Sequence, residues 1–246
     1  MDRKAETALV IGAGGGIGQA TVAALAQRFE RVLAVSRQGQ VPPALAALAE
    51  VHWLRAGADE AAIAAAAASV ASRVDDRPLA RVVIATGTLH GDDYQPEKAL
   101  RELHGDTLGH LYRVNAVLPL LWLASLEPLL RRSGEAVVAV LSARVGSIGD
   151  NRLGGWYGYR ASKAALNMLL RSAAVELARR APGVALLAFH PGTTDTALSK
   201  PFQRRVPAHK LFAPAFVADA LLARMDEARA DGELQFVDYA GETIAW

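Results

Sequence analysis

One pair of residues in this sequence is spaced for proton transfer. Tyr159 and Lys163 are four residues apart in a stretch of helical period, so their side chains share one helix face. A phenol with a pKa of about 10 is a poor acid or base at neutral pH unless a nearby cation stabilises its anion. Lys163 is such a cation, whereas Tyr157 is followed four residues later by Ala161. The alternative is that the two residues lie on an ordinary amphipathic surface helix, as most Tyr-x-x-x-Lys pairs do.

A glycine-rich loop follows the first apolar run and opens a helix. Glycines let the backbone turn tightly and approach a pyrophosphate, whose charge then lies on the helix N-terminus. A plain tight turn is the alternative, but the position at the first strand-to-helix junction favours dinucleotide binding. The residues of this loop assigned to the cofactor are Gly12, Gly14, Gly16, Ile17 and Gly18.

The second apolar run ends at Ser36 and Arg37. In a dinucleotide-binding fold this end faces the adenosine ribose, where an acid favours NAD and an arginine suits the 2′-phosphate of NADP. No acid is present, and a guanidinium pairs well with phosphate. The sequence therefore favours NADP(H), with NAD(H) possible. A solvated arginine at a strand end is the alternative.

Two more polar residues are candidates for the site. Ser142 follows the fifth predicted strand, and the carboxyl ends of such strands line the ligand crevice. It could donate a hydrogen bond to a substrate oxygen, or it is an ordinary turn serine. Asn115 lies in a helical stretch four residues before Pro119, which has no N–H for the Asn115 carbonyl. We expect a kink with a free acceptor able to hold a water; the alternative is a bend with a solvated side chain.

The elements that must position these residues alternate along the chain. Continuous apolar runs are separated by helical stretches, which predicts an α/β fold: a doubly wound, Rossmann-type parallel sheet of about seven strands with helices on both faces. The predicted strands are 7–11, 31–35, 51–54, 81–85, 136–141, 184–189 and 234–237. The predicted helices are 16–29, 42–50, 59–74, 106–132, 158–180 and 214–228. No linker or change in composition is visible, so we expect a single domain over residues 1–246.

Composition excludes several classes of protein. The 246 residues are 52% hydrophobic, which suffices for a large core. The 27 basic and 25 acidic residues are scattered, so no nucleic-acid partner is expected. With no cysteines and no metal-ligand spacing among the histidines, no metal site is expected. The N-terminal segment has no signal-peptide pattern, and the apolar stretch 114–130 contains Pro119 and Glu127 and falls short of a membrane span. We expect a cytoplasmic protein with no membrane partner.

Taken together, the motifs resemble those of the short-chain dehydrogenase/reductase family over essentially the whole chain. The motifs that carry the resemblance are Gly12-x-x-x-Gly16-Ile17-Gly18, Asn115, Ser142, Tyr159-x-x-x-Lys163 and the segment HPGTTDT at 190–196. Residues 146–148, 159–167 and 189–196, with the ending 241–246, are similar to the branch that contains C-factor and related carbonyl reductases. One departure is Ala85-Thr86-Gly87, where the family usually has Asn-Ala-Gly.

The resemblance implies a role for each matching residue. Tyr159 would be the acid or base at the carbonyl oxygen, and Lys163 would lower its pKa and hold the nicotinamide ribose. Ser142 would orient the carbonyl, and Asn115 would anchor the water of a proton relay to Lys163. The remaining implied cofactor contacts are Gly87, Gly192, Thr194 and Thr196.

The implied activity is hydride transfer between NADP(H) and a small-molecule carbonyl or alcohol. Residues 193–212 would form a substrate lid, and the chain would assemble as a homodimer or homotetramer. A second hypothesis is a dinucleotide-binding signalling or interaction protein of the C-factor type, with little turnover.

Overall fold

The computed structural model describes residues 4–74 and 77–246. Residues 1–3, which belong to the N-terminal segment without a signal-peptide pattern, and residues 75–76 lie outside the described part. The strands are β1 (Lys4–Ile11), β2 (Phe29–Ser36), β3 (Val51–Arg55), β4 (Leu79–Ile84), β5 (Ala136–Leu141), β6 (Val184–His190), β7 (Thr193–Thr194), β8 (Leu211–Phe212) and β9 (Leu234–Asp238). The helices are α1 (Gly16–Ala26), α2 (Pro43–Ala46), α3 (Glu60–Val74), α4 (Gly105–Tyr112), α5 (Leu118–Ser133), α6 (Tyr157–Arg180) and α7 (Pro214–Glu227).

The described residues form a seven-stranded sheet in the order β3-β2-β1-β4-β5-β6-β9, with every neighbouring pair parallel. This is the predicted doubly wound, Rossmann-type arrangement. The direction of winding reverses between β1 and β4. In such sheets ligands bind outside the carboxyl ends of the strands at this reversal. The fold therefore places the binding crevice beside the ends of β1 and β4.

Helices cover both faces of the sheet, which explains the continuous apolar strands. Along β1, Leu9 and Ile11 face the layer of α3, α5 and α6. Ala8 and Val10 face the opposite layer, which contains α1 and α7. All six residues of β5 are buried, because β5 lies inside the sheet between β4 and β6. The strand whose carboxyl end carries Ser142 is thus held rigidly on all sides.

Two predicted helices are shorter in the structure. The helix predicted over 42–50 is wrong beyond Ala46, because the chain turns through a Val51 N–H to Leu48 O hydrogen bond and enters β3. The helix predicted over 16–29 ends at Ala26, since Phe29 begins β2 and is paired in register with β1. In both cases pairing with a neighbouring strand outweighs local helix propensity.

The helix predicted over 106–132 is interrupted at the expected place. Between α4 and α5 the residues Arg113–Val117 form a single π-helical segment around Asn115. Such segments are frequent at functional sites. The whole run Gly105–Ser133 is long and apolar enough to cross a membrane by length and composition, contrary to the expectation from 114–130. Half of its most apolar stretch is buried, and Trp122 and Leu126 lie in the core cluster of this fold.

Candidate active site

The predicted pair Tyr159 and Lys163 lies on one face of α6, in its first two turns. Lys163 Nζ is 6.0 Å from the centre of the Tyr159 ring and donates a hydrogen bond of 2.8 Å to the carbonyl oxygen of Leu141. The helix can approach the end of β5 this closely because Gly146 has no side chain. A Cβ there would lie 2.9 Å from Lys163 Cβ. The lysine is thus fixed to the carboxyl end of β5.

Burial shifts both pKa values, in opposite directions. It raises the pKa of the Tyr159 phenol to about 12, because the phenolate is poorly solvated there. It lowers the pKa of Lys163 to about 7 for the same reason, since the ammonium is the charged form. In the polypeptide alone desolvation dominates at the phenol, and the lowering of its pKa by Lys163 stays a prediction.

Asn115 is fully buried in the π-helical segment and joins three elements. Its Nδ2 donates to the carbonyl oxygen of Thr88 at 2.9 Å and to Ser162 Oγ at 3.0 Å. Its Oδ1 accepts from the Thr88 N–H at 2.8 Å. The reading as a solvated side chain is wrong. Asn115 instead ties the loop after β4 to α6, and sequence reasoning missed its partner Ser162, although it directly precedes Lys163.

Gly87 brings the loop after β4 into the same region. A Cβ at Gly87 would lie 3.4 Å from Asn115 Oδ1 and 3.7 Å from Lys163 Nζ. Three residues predicted from separate motifs are therefore neighbours in space. Thr86, the residue before, has a buried Oγ1 with no hydrogen-bond partner among the described residues. The absence of the family's usual asparagine at Ala85 leaves this arrangement intact.

Ser142 lies immediately after β5 and is 3% exposed. Its Oγ donates a hydrogen bond of 2.6 Å to Oδ1 of Asn167, a residue of α6 that sequence reasoning missed. The available signal was spacing, because Asn167 follows Lys163 by four residues on the same helical face. Ser142 is therefore held against the helix that carries Tyr159 and Lys163.

The glycine loop forms a cradle at the point where the sheet reverses. A cavity of about 280 Å³ lies there. Its lining includes Gly12, Gly14, Gly15, Ser36, Arg37, Gln38, Ala56, Ala85, Thr86 and Gly87. Gly12 has φ +86°, and a Cβ on it would lie 2.8 Å from the Ala85 carbonyl carbon. A Cβ on Gly14 would lie 2.6 Å from Ser36 Oγ, and one on Gly18 would meet the carbonyl oxygen of Gly12.

The residues present fit a dinucleotide. A Cβ on Gly12, Gly14 or Gly18 would collide with backbone or with Ser36, so the loop stays narrow beside the cavity. Thr86, whose buried hydroxyl has no partner among the described residues, lines the same cavity. Arg37 is exposed at the end of β2 and lines the same cavity, so its guanidinium is available to an anion. Ser36 is buried and accepts a hydrogen bond from the Gln38 N–H at 3.1 Å. Ile17 packs against the core below the loop.

The segment after β6 reaches back to the glycine loop. Gly192 has φ +68°, and a Cβ there would lie 2.6 Å from the ring of Phe212. Thr194 is buried in β7, which pairs in parallel with β8. A Cβ on Gly16 would lie 2.7 Å from Thr196 Cγ2, so Thr196 lies against the glycine loop. The cofactor contacts of Gly192, Thr194 and Thr196 stay predictions.

The predicted lid over 193–212 is closed into a loop by the pairing of β7 with β8. Within it Phe202 packs on Trp156 with ring centres 5.2 Å apart, and Trp156 lies 6.3 Å from the ring of Tyr159. The lid segment therefore reaches Trp156, the residue that precedes α6. Part of its basic charge is balanced, since Lys200 Nζ lies 3.5 Å from an Asp195 carboxylate oxygen. Across residues 4–74 and 77–246 no group of three His, Asp or Glu side chains is placed to hold a metal ion.

A reversed parallel sheet, a glycine cradle at the reversal and a Tyr-x-x-x-Lys helix beside it define a class of dinucleotide-dependent oxidoreductases. The short chain dehydrogenase family model matches residues 6–206. The chain therefore belongs to the short-chain dehydrogenase/reductase family, an NAD(P)-dependent oxidoreductase class.

Individual relatives are more distant. The chain is 34% identical over 146 residues to 1-hydroxy-2-glutathionyl-2-methyl-3-butene dehydrogenase of Rhodococcus sp. (strain AD45), covering 59% of this chain and 58% of that protein. It is 32% identical over 148 residues to C-signal of Myxococcus xanthus, covering 60% of this chain and 84% of that protein. A carbonyl reductase from Pseudomonas aeruginosa in complex with NADP superposes with a TM-score of 0.78 at 26% identity, covering 98% of this chain and 99% of the other. The match to the Rhodococcus relative thus spans under two thirds of its length.

Proposed function

We propose that this protein is an NADP(H)-dependent oxidoreductase that interconverts a carbonyl compound and the corresponding alcohol. The observation that carries the proposal is the face of α6. It carries Tyr159 and Lys163 one turn apart, with Lys163 close to Gly87 and tied to the end of β5. An acid and an amine on this face, close to the loop after β4, support proton transfer to a substrate held beside the cofactor.

The cofactor would be held by the glycine loop, by Gly87, and by the segment from Gly192 to Thr196. When bound, the nicotinamide cofactor supplies or accepts the hydride. The polypeptide supplies orientation and a proton. Gly87, Asn115 and Lys163 are neighbours at the inner end of the crevice, so this end is assigned to the reacting half of the cofactor.

Tyr159 would act as general acid during carbonyl reduction. Burial raises the pKa of its phenol to about 12, so at neutral pH the group keeps the proton that a reduced carbonyl oxygen must receive. Ser142 would hold that oxygen by a hydrogen bond. Asn115 would keep the loop after β4 in place against α6 through its bonds to Thr88 and Ser162.

A preference for NADP(H) over NAD(H) is supported by the end of β2. Arg37 is exposed on the cavity wall, and no carboxylate stands at this position to repel a 2′-phosphate. A similar carbonyl reductase of known structure is bound to NADP. Both observations favour the phosphorylated cofactor.

The test combines nucleotide binding with turnover. Purified protein should bind NADPH and oxidise it in the presence of at least one member of a panel of aldehydes, ketones and quinones. Tyr159→Phe should lower kcat by about 10²–10⁴-fold, the usual contribution of a general acid, while NADPH affinity stays close to that of the wild type. Retention of most of the activity in this variant would contradict the role of the phenol.

The likeness to C-signal, a protein of 32% identity over 148 residues, keeps a second candidate function in view. Under this second candidate function the chain binds a dinucleotide but acts by signalling or by interaction with another protein. Bound NADPH without turnover on any compound of the panel would favour this second function.

A further inference from the structure

Asn167 is a third polar residue on the face of α6 that carries Tyr159 and Lys163. It is 3% exposed, and its Oδ1 accepts the 2.6 Å hydrogen bond from Ser142 Oγ. Burying an amide without partners costs free energy, so a buried asparagine on an otherwise apolar inner face calls for a specific contact. Here that contact is Ser142.

Two successive turns of α6 hold two successive residues at the end of β5. Lys163 Nζ donates to the carbonyl oxygen of Leu141 at 2.8 Å, and Asn167 binds the next residue, Ser142. The Ser142 N–H is itself fixed by a 2.8 Å bond to the carbonyl oxygen of Phe189 in β6. The backbone of Ser142 is therefore held in place. Its hydroxyl can still rotate, and Asn167 can set the direction in which the hydroxyl points.

The Asn167 amide has an unused donor. Within the described part of the chain, its Nδ2 is buried without a hydrogen-bond partner. A serine hydroxyl has a single proton, whereas an asparagine amide offers an acceptor on one side and two donors on the other. Rotation of the amide by half a turn would exchange the atom that faces Ser142. Since either orientation leaves one amide atom unpaired, no other contact of this residue opposes the rotation.

We propose that Asn167 is a positioning residue that sets the direction of the Ser142 hydroxyl. With Oδ1 towards Ser142, the serine oxygen is left to accept a hydrogen bond from a substrate alcohol. With Nδ2 towards Ser142, the serine proton is released to donate to a substrate carbonyl. One amide thus serves both directions of the reaction. This inference rests on the proposed function, because it assigns Asn167 to the same site.

The experiment is a double-mutant cycle with Asn167→Leu and Ser142→Ala, measured as kcat for carbonyl reduction and as NADPH affinity. Asn167→Leu should lower kcat by about 10- to 100-fold, as expected when a group that orients a catalytic residue is removed. In the Ser142→Ala background the same change should alter kcat by less than about twofold, because there is no hydroxyl left to orient. NADPH affinity should stay unchanged in all variants. Gln27→Leu, which removes an exposed amide at the end of α1, is the control.

Two results would overturn the assignment. One is an equal loss of kcat from Asn167→Leu with and without Ser142, which would indicate a general effect on α6. The other is full activity of Asn167→Leu. If this variant does not fold, Asn167→Ala is measured in the same cycle with the same criteria. Wild-type protein that turns over no substrate contradicts the proposed function, whereas an active wild type with an additive cycle contradicts the role of Asn167 alone.

Discussion

At the scale of residues, the site is dominated by desolvation. Tyr159 and Lys163 are both shifted towards their neutral forms, because burial disfavours each charge. A neutral phenol is the form needed to protonate a carbonyl oxygen. The spacing of Tyr159 and Lys163 places an amine near the phenol, but it does not include the cost of burying the phenolate, which raises the phenol pKa.

Arg37 offers a test of cofactor choice at a single residue. Arg37→Asp should lower kcat/KM with NADPH by about 10- to 100-fold, the equivalent of losing hydrogen bonds to a charged group, and should raise the relative rate with NADH. Steady-state kinetics with both nucleotides measures the ratio. Arg229→Asp, another exposed arginine, is the control because Arg229 is not part of the cavity lining. An unchanged ratio in Arg37→Asp would remove this residue from the phosphate site.

At the scale of elements, α6 has an unusual N-terminus. Its N-cap residue Trp156 has φ +52° and makes no capping bond through its side chain. Glu97, from the loop after β4, takes that role: its carbonyl oxygen accepts from the Trp156 N–H at 2.5 Å and its Oε2 from the Gly158 N–H at 3.1 Å. Helix ends are the least self-supported part of a helix, and Tyr159 lies in this first turn.

Removal of this cap should destabilise the fold. Glu97→Ala leaves the buried Gly158 N–H without its acceptor and should reduce the free energy of unfolding by about 1–2 kcal/mol. Chemical denaturation followed by circular dichroism measures the change. Glu60→Ala is the control, because it removes a glutamate that is exposed and lies in the first turn of α3. Equal stabilities for the two variants would show that Glu97 is not a significant cap.

At the scale of the whole molecule, the sheet brings the segments that follow different strands to one edge: the glycine loop follows β1, Gly87 follows β4 and Ser142 follows β5. His190 lies at the end of β6, beside Arg144, which forms a 3.0 Å ion pair with Asp238 of β9. Burial, together with the charge of Arg144, lowers the pKa of His190 to about 4. Between pH 6.5 and 4 the unfolded chain therefore binds a proton at this residue that the folded chain does not.

Because the unfolded chain binds this proton more readily than the folded chain, the folded state should lose stability in acid. As the pH falls from 6.5 to 4, protonation of His190 in the unfolded state should reduce the free energy of unfolding by about 2 kcal/mol. Urea denaturation at pH 7.5 and at pH 4.5 should show a smaller acid loss for His190→Gln than for the wild type. Since all carboxylates are common to both proteins, the comparison isolates the histidine. Parallel losses in the two proteins would rule out this contribution.

Assembly also belongs to this scale and stays a proposal. On α6, Met168 is 66% exposed and Val175 is 47% exposed, seven residues apart and so two turns along one face. We propose self-association through this helix, as the family resemblance implies.

Local patterns were enough to indicate the parallel α/β fold, the glycine cradle and the Tyr159–Lys163 pair, because hydrophobic period and residue spacing act over a few neighbouring residues. The start of α3 is also set locally, because the Asp59 carboxylate accepts a hydrogen bond from the Ala62 N–H at 2.9 Å. Other features depended on contacts between distant segments. Pairing of β2 with β3 shortened the helix after Pro42. Glu97 binds α6 at a residue 61 positions later, and Asn167 binds Ser142, which lies 25 positions earlier. Such contacts are decided by how the sheet and helices pack, so only the tertiary structure could reveal them.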